Sequence, residues 1–469
     1  MGTELPFSLL TQLAGEPVHL ELFGPDACLQ SWLAAERALA LAQSELGIID
    51  LADAAAISAA ARLDNIDRDE LWASAKNVGY PILGMVRQIS RLLPEGPNGR
   101  VHYGATTQDI MDTGLALQMQ RSLYELDARL GQLGEALARQ CEANAKTVMP
   151  ARTHAQQAVP TTLGATLASL LAQFARHRER VNQALPRVAV VSMFGAGGTS
   201  AAYGAQSVHL RERMARRLGL HPTDVPWHVA RDGLAEYGWL CVILTATCAR
   251  LARNIVDLSR TEIGEVFEPF NSHRGASSTM PQKVNPISSE FIIGLAGTAG
   301  ALASSLARIQ EAGHERAAGE WQIEWQVIPQ LGMIAGSALQ QAQLIIEGLR
   351  VDAERMRKNL KLDSGLIMAE AQMIHLAQTL GRETAHDLVY EAAQRARSEH
   401  RILQETLPEV LIEHGVANQV PDPIRAGDYL GEAEGIVTEA VRLWNAAPTV
   451  TEPPDLAELA HAPDGDMSR

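Results

Sequence analysis

A stripe of leucines over residues 113–146 limits this chain more than any other feature. Leu123, Leu126, Leu130, Leu133 and Leu137 recur at spacings of three and four, with Arg, Glu and Gln between them. That spacing places the leucines on one face of a helix, and the mixture of threes and fours suits packing between nearly aligned helices. Similar long patterns run over 160–183, 234–264, 287–310 and 321–349. Five such segments predict an all-α fold built on a long-helix bundle, and no alternating apolar–polar run is present to seed a sheet. The patterns divide the chain into an N-terminal helical domain (1–112), a central bundle (113–361) and a C-terminal domain of shorter helices with a tail (362–469).

The interruptions between the stripes carry the polar chemistry. "NGRVHYGATTQD" precedes the first long helix, "MPARTHAQQAVPTT" lies between the first and second, and "FGAGGTSAAYG" follows the second. "GASSTMPQKVNP" (275–286) separates the third from the fourth. Their Gly, Pro and Thr content reads as loops. The glycines of "GAGGTSAAYG" follow a helix and not a strand, which disfavours a phosphate cradle. The final "APTVTEPPDLAELAHAPDGDMSR" is expected to be loosely ordered.

Charge and cysteine usage exclude several function classes. A formal net charge of -15 argues against nucleic acid or an anionic membrane as partner, although a local basic pocket for an anionic substrate is compatible with it. Cys28, Cys141, Cys241 and Cys248 form no C-x-x-C pair and have no zinc-like His spacing, so reduced thiols and a cytoplasmic location are expected. No metal or cofactor is expected either. The N-terminus lacks a basic stretch followed by a long apolar run. The apolar stretch "WLCVILTATCA" is too short to span a bilayer.

Three of the loops, "HYGATTQDIMDT", "ARTHAQQAVPTT" and "GASSTMPQKVNPISSE", together resemble the signature regions of the fumarase/aspartase superfamily. The last matches the family pattern G-S-S-x-M-P-x-K-x-N-P except at Ala276, where Gly is usual. The resemblance covers nearly the whole chain. It implies an all-α, three-domain subunit that assembles into a homotetramer, with each active site combining the three loops from different subunits. Within the superfamily, "HYGATTQDIMDTGLALQ", "RTEIGEVFEPF" and "GHERAAGEWQIEW" are most similar to the branch of 3-carboxy-cis,cis-muconate cycloisomerases and adenylosuccinate lyases.

The reaction implied by the resemblance removes a weakly acidic proton beside a carboxylate and expels a group from the neighbouring carbon. It calls for a base, a clamp for the developing aci-carboxylate, and often an acid for the leaving atom. Ser277 resembles the family's base, and closure of its loop would bring it under backbone N–H groups and Lys283, lowering its pKa. Lys283 and Asn285 match the positions that hold the substrate carboxylate. His154 resembles the general acid, and Glu290, seven residues after Lys283, the carboxylate that orients it. His102, Thr106, Thr107 and Gln108 match the first carboxylate-binding loop, where Thr106 or Asp109 can also serve as helix caps. Gln156 is a second donor candidate. Arg231 is either a carboxylate contact or an ion-pair arginine.

Two departures steer the expectation. Cycloisomerases of this branch commonly carry a large apolar residue at the His154 position and lack the Glu290 carboxylate, so keeping both favours a lyase. Trp321, Gln322 and Trp325 stand where adenylosuccinate lyases carry groups suited to phosphate, and they cannot make the charge-assisted bonds a monophosphate needs. The expected activity is therefore elimination of an amine or nitrite from a small β-substituted succinate, releasing fumarate. A lactonising cycloisomerase, an adenylosuccinate lyase and a non-catalytic helical relative are the alternatives.

Overall fold

The computed structural model describes residues 8–420 and 423–454. The N-terminal part consists of α1 (Leu9–Ala14), α2 (Pro17–Leu22), α3 (Pro25–Glu45), α4 (Leu51–Ala60), α5 (Arg68–Val78) and α6 (Ile82–Arg91). The bundle follows as α7 (Thr107–Ala143), α8 (Leu163–Val188), α10 (Asp232–Leu258), α11 (Ile287–Arg308) and α12 (Glu320–Glu347), with the shorter α9 (Ser207–Leu218) between α8 and α10. After it come α13 (Ala353–Asn359), α14 (Ala369–Leu380), α15 (Arg382–Glu399), α16 (Leu403–Glu413) and α17 (Ala433–Asn445). All five leucine- and alanine-rich stripes are helices, and the all-α expectation stands.

Helix α7 begins well before the leucine stripe. Thr106 and Asp109 form a reciprocal capping box, which satisfies amides that the first turn leaves without partners. The opening turns bury polar residues, Gln108, Asp109, Asp112 and Thr113, in place of leucines. Hydrophobic periodicity cannot detect such a start, and the expected boundary after residue 112 falls inside α7.

Cross-links fix the direction of each bundle helix. Arg231, at the start of α10, bonds Asp112 near the start of α7, while Gln140 near the end of α7 bonds the Ile346 carbonyl near the end of α12. Helices α7, α10 and α12 therefore run one way. Ser288, at the start of α11, bonds Gln341 near the end of α12, and Thr113 bonds the Ser192 carbonyl just past α8. Helices α8 and α11 run the other way. Leu123, Leu126, Leu130, Leu133 and Leu137 are all buried in the shared core, where truncating one to Ala costs about 2–5 kcal/mol.

The C-terminal segment returns to this core. Trp444 of α17 is buried against the bundle, and a Cβ on Gly134 of α7 would lie 2.1 Å from its ring. Glycine is required there because the indole lies against the α7 backbone. Part of the expected loose tail is anchored too: the Val450 amide donates to Asp127 at 3.1 Å, and Asp127 also pairs with Arg178. Residues 455–469 of that tail lie outside the described residues. A second core joins α3–α6 and α9 with the start of α7, and smaller clusters hold α14–α16.

The expectation that no sheet forms needs correction. Strands β1 (Val148–Thr153) and β2 (Gln156–Thr162) make an antiparallel hairpin out of the "MPARTHAQQAVPTT" loop, and β3 (Val266–Phe267) pairs with β4 (Arg350–Val351). The prolines hid the hairpin from a sequence reading, since Pro lacks the N–H that a ladder uses. Pro150 faces Pro160 across the ladder, beside an irregularity between residues 150 and 152, so the missing donors fall together. The four cysteines are free, as expected.

Helices α10 and α11 are each long and apolar enough to cross a bilayer by length and composition alone. The short apolar run noted in the sequence is thus part of a longer apolar helix. In α10 that character serves the core, with Leu240, Cys241, Leu244, Cys248, Leu251 and Ala252 buried. Much more of α11 stays uncovered within the subunit, and Gly297 and Gly300 have open space beside them.

Candidate active site

At the end of the bundle where α7 starts, the first motif is locked into a buried polar network. Asp109 accepts hydrogen bonds from His228 Nε2 at 2.8 Å and from the amides of Phe194 and Gly195 at 2.9 Å each. Burial alone would raise the Asp109 carboxyl. The His228 bond and charge and the two amides outweigh it, and hold Asp109 below the usual carboxylate range. One side chain thus ties the TTQD turn to the "FGAGG" loop and to the segment before α10. The Gln108 amide donates to the His228 carbonyl at 2.8 Å, so this side chain is buried and used internally. Thr106 is a helix cap, the structural role considered beside substrate binding.

Arg316, from the "GHERAAGE" segment, closes this network from above. Its guanidinium donates to Gln108 Oε1 at 3.2 Å, to Thr106 Oγ1 at 3.4 Å and to the Ala196 carbonyl at 3.1 Å. It is the cation nearest the first motif that sequence reasoning missed. The segment was singled out for its branch likeness and for what it lacks toward phosphate, but Arg316 itself was not. His102 has a left-handed backbone (φ 59°) and places Nδ1 2.6 Å from the buried Glu36 carboxylate.

Arg231, given in the sequence either as a substrate-carboxylate contact or as an ion-pair arginine, sits in a buried ion-pair cluster. Its guanidinium is buried and bonded to both oxygens of Asp112, at 2.8 and 3.0 Å, and both of Glu324, at 2.7 and 2.5 Å. No donor is left for a ligand. Trp321 is likewise buried, stacked on Tyr80 at 5.3 Å with Trp325 edge-on at 5.1 Å.

The other two motifs lie at the opposite end. His154 and Ala155 are the two central residues of the β1–β2 turn, with φ 49° and 61°. A two-residue hairpin turn of this kind requires positive φ at both positions and normally uses Asn and Gly. His and Ala there carry strain of order 1–3 kcal/mol each, of the sort found at functional sites. His154 and Gln156 are exposed. Arg152 pairs with the buried Glu265 at 2.6 and 2.8 Å, tying the hairpin to the segment that leads into the third motif.

The 275–286 loop is closed at its base by an isolated bridge, Ala276 to Val284, and by the Asn285 amide donating to the Gly275 carbonyl at 2.8 Å. Gly275 has φ 69°, and a Cβ there would lie 2.3 Å from the Asn285 carbonyl oxygen, so only glycine fits. Inside the loop, Ser277 Oγ accepts from the Thr279 amide at 3.3 Å and the Met280 amide at 3.1 Å. Glu268 anchors the far side. It accepts from the Ser288 and Ser289 amides at 3.2 and 2.7 Å, capping α11 in place of the missing cap at Pro286. Lys283 and Glu290 are exposed.

One subunit does not bring the three motifs together. Helix α7 has 37 residues, so Thr107 lies about 55 Å from its far end, where the hairpin begins. A hairpin arm of seven residues spans only about 23 Å. His154 therefore stays remote from Thr106–Gln108 of its own chain. Among the described residues no hydrogen bond or ion pair links His154 to Ser277, Lys283 or Glu290.

Comparisons with known proteins identify the family. A family profile described as "Lyase" matches residues 27–300, and one described as "Adenylosuccinate lyase C-terminus" matches 365–440. A 3-carboxy-cis,cis-muconate cycloisomerase of Pseudomonas aeruginosa is 39% identical over 90% of this chain and 93% of its own. An N-acetyl-S-(2-succino)cysteine lyase of Dickeya dadantii is 34% identical over 93% and 97%, and a nitrosuccinate lyase of Streptomyces davaonensis 35% over 91% and 93%. The crystal structure of the 3-carboxy-cis,cis-muconate lactonizing enzyme from Pseudomonas putida superposes with a TM-score of 0.86 at 37% identity, covering 93% of this chain and 99% of that one. With the profile spanning more than half the chain and the same helical frame beneath it, this chain belongs to the fumarase/aspartase lyase superfamily.

Proposed function

We propose that the chain is a lyase that releases fumarate from a small 2-substituted succinate, expelling an amine or nitrite. The observation that carries this reading is the Ser277 hydroxyl, which accepts two backbone N–H bonds inside a glycine-hinged loop that also bears Lys283 and Asn285. Hydrogen bonds to an oxygen stabilise its anion, which is what a serine needs to act as a base near neutral pH. Ser277 takes the proton from the carbon beside one carboxylate. Lys283 and Asn285 hold the doubly charged carboxylate that results, while Thr106, Thr107 and His102, with Arg316 behind them, bind the other end of the dianion. His154, backed by Glu290, protonates the leaving atom.

Because the motifs sit at opposite ends of one bundle, the complete site draws on neighbouring copies in a homotetramer. The uncovered apolar side of α11 supports such contacts between subunits. The thioether- and nitro-succinate lyases among the relatives support elimination as the reaction class.

A lactonising cycloisomerase is the second reading, favoured by the 39% identity to the Pseudomonas enzyme and disfavoured by the His154/Glu290 pair. Phosphate recognition has little support, since Trp321 and Trp325 are engaged in an aromatic cluster with Tyr80. A panel of amino-, nitro- and thio-substituted succinates beside 3-carboxymuconate, followed by fumarate and lactone absorbance, tests the assignment. Fumarate from at least one succinate and no lactone is the expected result. Lactone formation alone would reject the lyase reading.

A further inference from the structure

We propose that Glu36 is a positioning residue that holds His102 as an imidazolium whose Nε2–H grips one carboxylate of the substrate dianion. The inference rests on the dicarboxylate reading above and adds to it a residue from outside all three motifs. Glu36 lies in the middle of α3, far from any signature loop in sequence. Its carboxylate is buried, with side-chain exposure of 1%. Oε1 receives His102 Nδ1 at 2.6 Å, while Oε2 is buried with no partner.

A buried carboxylate without a compensating charge is costly, so the ionised acid favours a cation on the imidazole. The short separation is that of a charge-assisted bond. Fixing Nδ1 to Glu36 leaves Nε2 as the only free edge of the ring, and among the described residues it has no hydrogen-bond partner. The backbone adds a second indication: His102 is held at φ 59°, next to the loop that carries Thr106 and Gln108. The surrounding turn is fixed by Gln43, which donates to the Tyr103 carbonyl at 2.7 Å, and by Tyr203, whose hydroxyl donates to the same carbonyl at 2.7 Å.

The charged and titratable groups around His102 are Glu36 on α3, Asp109 with its partner His228, and the Tyr203 phenol. Burial depresses the imidazolium, but the charge and hydrogen bond of Glu36, with a smaller pull from Asp109, outweigh it and raise the His102 pKa. Asp109 is already committed to His228 and two amides, so Glu36 is the partner that matters. As pH rises through the raised pKa, the cation and its grip on the dianion are lost together.

The test measures succinate binding to the full-length protein by calorimetry across pH. Wild type should bind succinate and lose affinity as pH rises. Glu36→Gln should weaken binding near neutral pH by roughly tenfold and move the loss to lower pH, while Glu36→Asp restores most of the affinity. His102→Gln should weaken binding by a similar factor, and adding Glu36→Gln to it should cost nothing more, which separates positioning from misfolding. Wild type binding succinate with Glu36→Gln unchanged in affinity and pH profile overturns this inference alone. A wild type that binds no succinate at any pH overturns the dicarboxylate reading and this inference with it.

Discussion

The two ends of the bundle are built on opposite principles. Where α7 starts, Asp109, Gln108, His228 and the Arg231–Asp112–Glu324 cluster are tied together by buried hydrogen bonds and ion pairs, with the half-buried Arg316 bonded to Gln108. At the other end, His154 and Gln156 stand exposed on a strained turn, and Lys283 and Glu290 lie on the surface. The second end leaves His154, Lys283 and Glu290 without such internal partners among the described residues. The difference teaches that the first motif is spent largely on buried contacts within its own subunit, whereas the second and third motifs leave their polar side chains uncovered.

Substitutions at the two ends should therefore fail in different ways. The largest effect is expected for Ser277→Ala, which should lower kcat on a turned-over succinate by about a thousandfold or more with the melting temperature unchanged. Near-normal turnover would remove the base assigned to the exposed end. Next comes Arg231→Met at the buried end. It leaves Asp112 and Glu324 facing each other uncompensated and should destabilise the fold by about 3–5 kcal/mol in chemical denaturation. A loss under 1 kcal/mol would show that this end is less preorganised than its contacts imply.

A third prediction concerns pH. Burial alone would raise the Glu16 carboxyl, but His19, its backbone amide and Arg129 hold it down at about 2, against 4.5 for the free group. The depressed value means that its stabilisation is complete above about pH 4.5 and is lost as pH falls toward 2. The loss is on the order of 2 kcal/mol, measurable as a shift in denaturation midpoint that Glu16→Gln should abolish. The smallest effect is at the hairpin tip. Ala155→Gly relieves the positive φ of 61° and should stabilise the fold by under about 1 kcal/mol. Should it destabilise instead, the strain argument for His154 fails.

Legibility followed the kind of physics involved. The long helices were readable because apolar periodicity is local, and Leu123–Leu137 sit in the core as their spacing requires. The β1–β2 hairpin was hidden by two prolines whose lost donors cancel only once they face each other. The 275–286 loop was readable as a loop from its glycine and prolines, and the ion-pair alternative for Arg231 was among the readings its residue type allowed. Arg316, Glu268 and Glu36 were not marked in the sequence, because the bonds that place them reach 20 residues along the chain for Glu268 to Ser288, 66 for Glu36 to His102 and 208 for Arg316 to Gln108.

By itself, the sequence determined the helical class, the five bundle stripes and the superfamily. Only the tertiary structure decided that Arg231 is spent on Asp112 and Glu324, that Trp444 closes the bundle against Gly134, and that the first motif lies a full bundle length from the other two. The reason is that periodicity and residue chemistry are carried along the chain. Pairing of buried charges and the direction of a 37-residue helix exist only between segments distant in it.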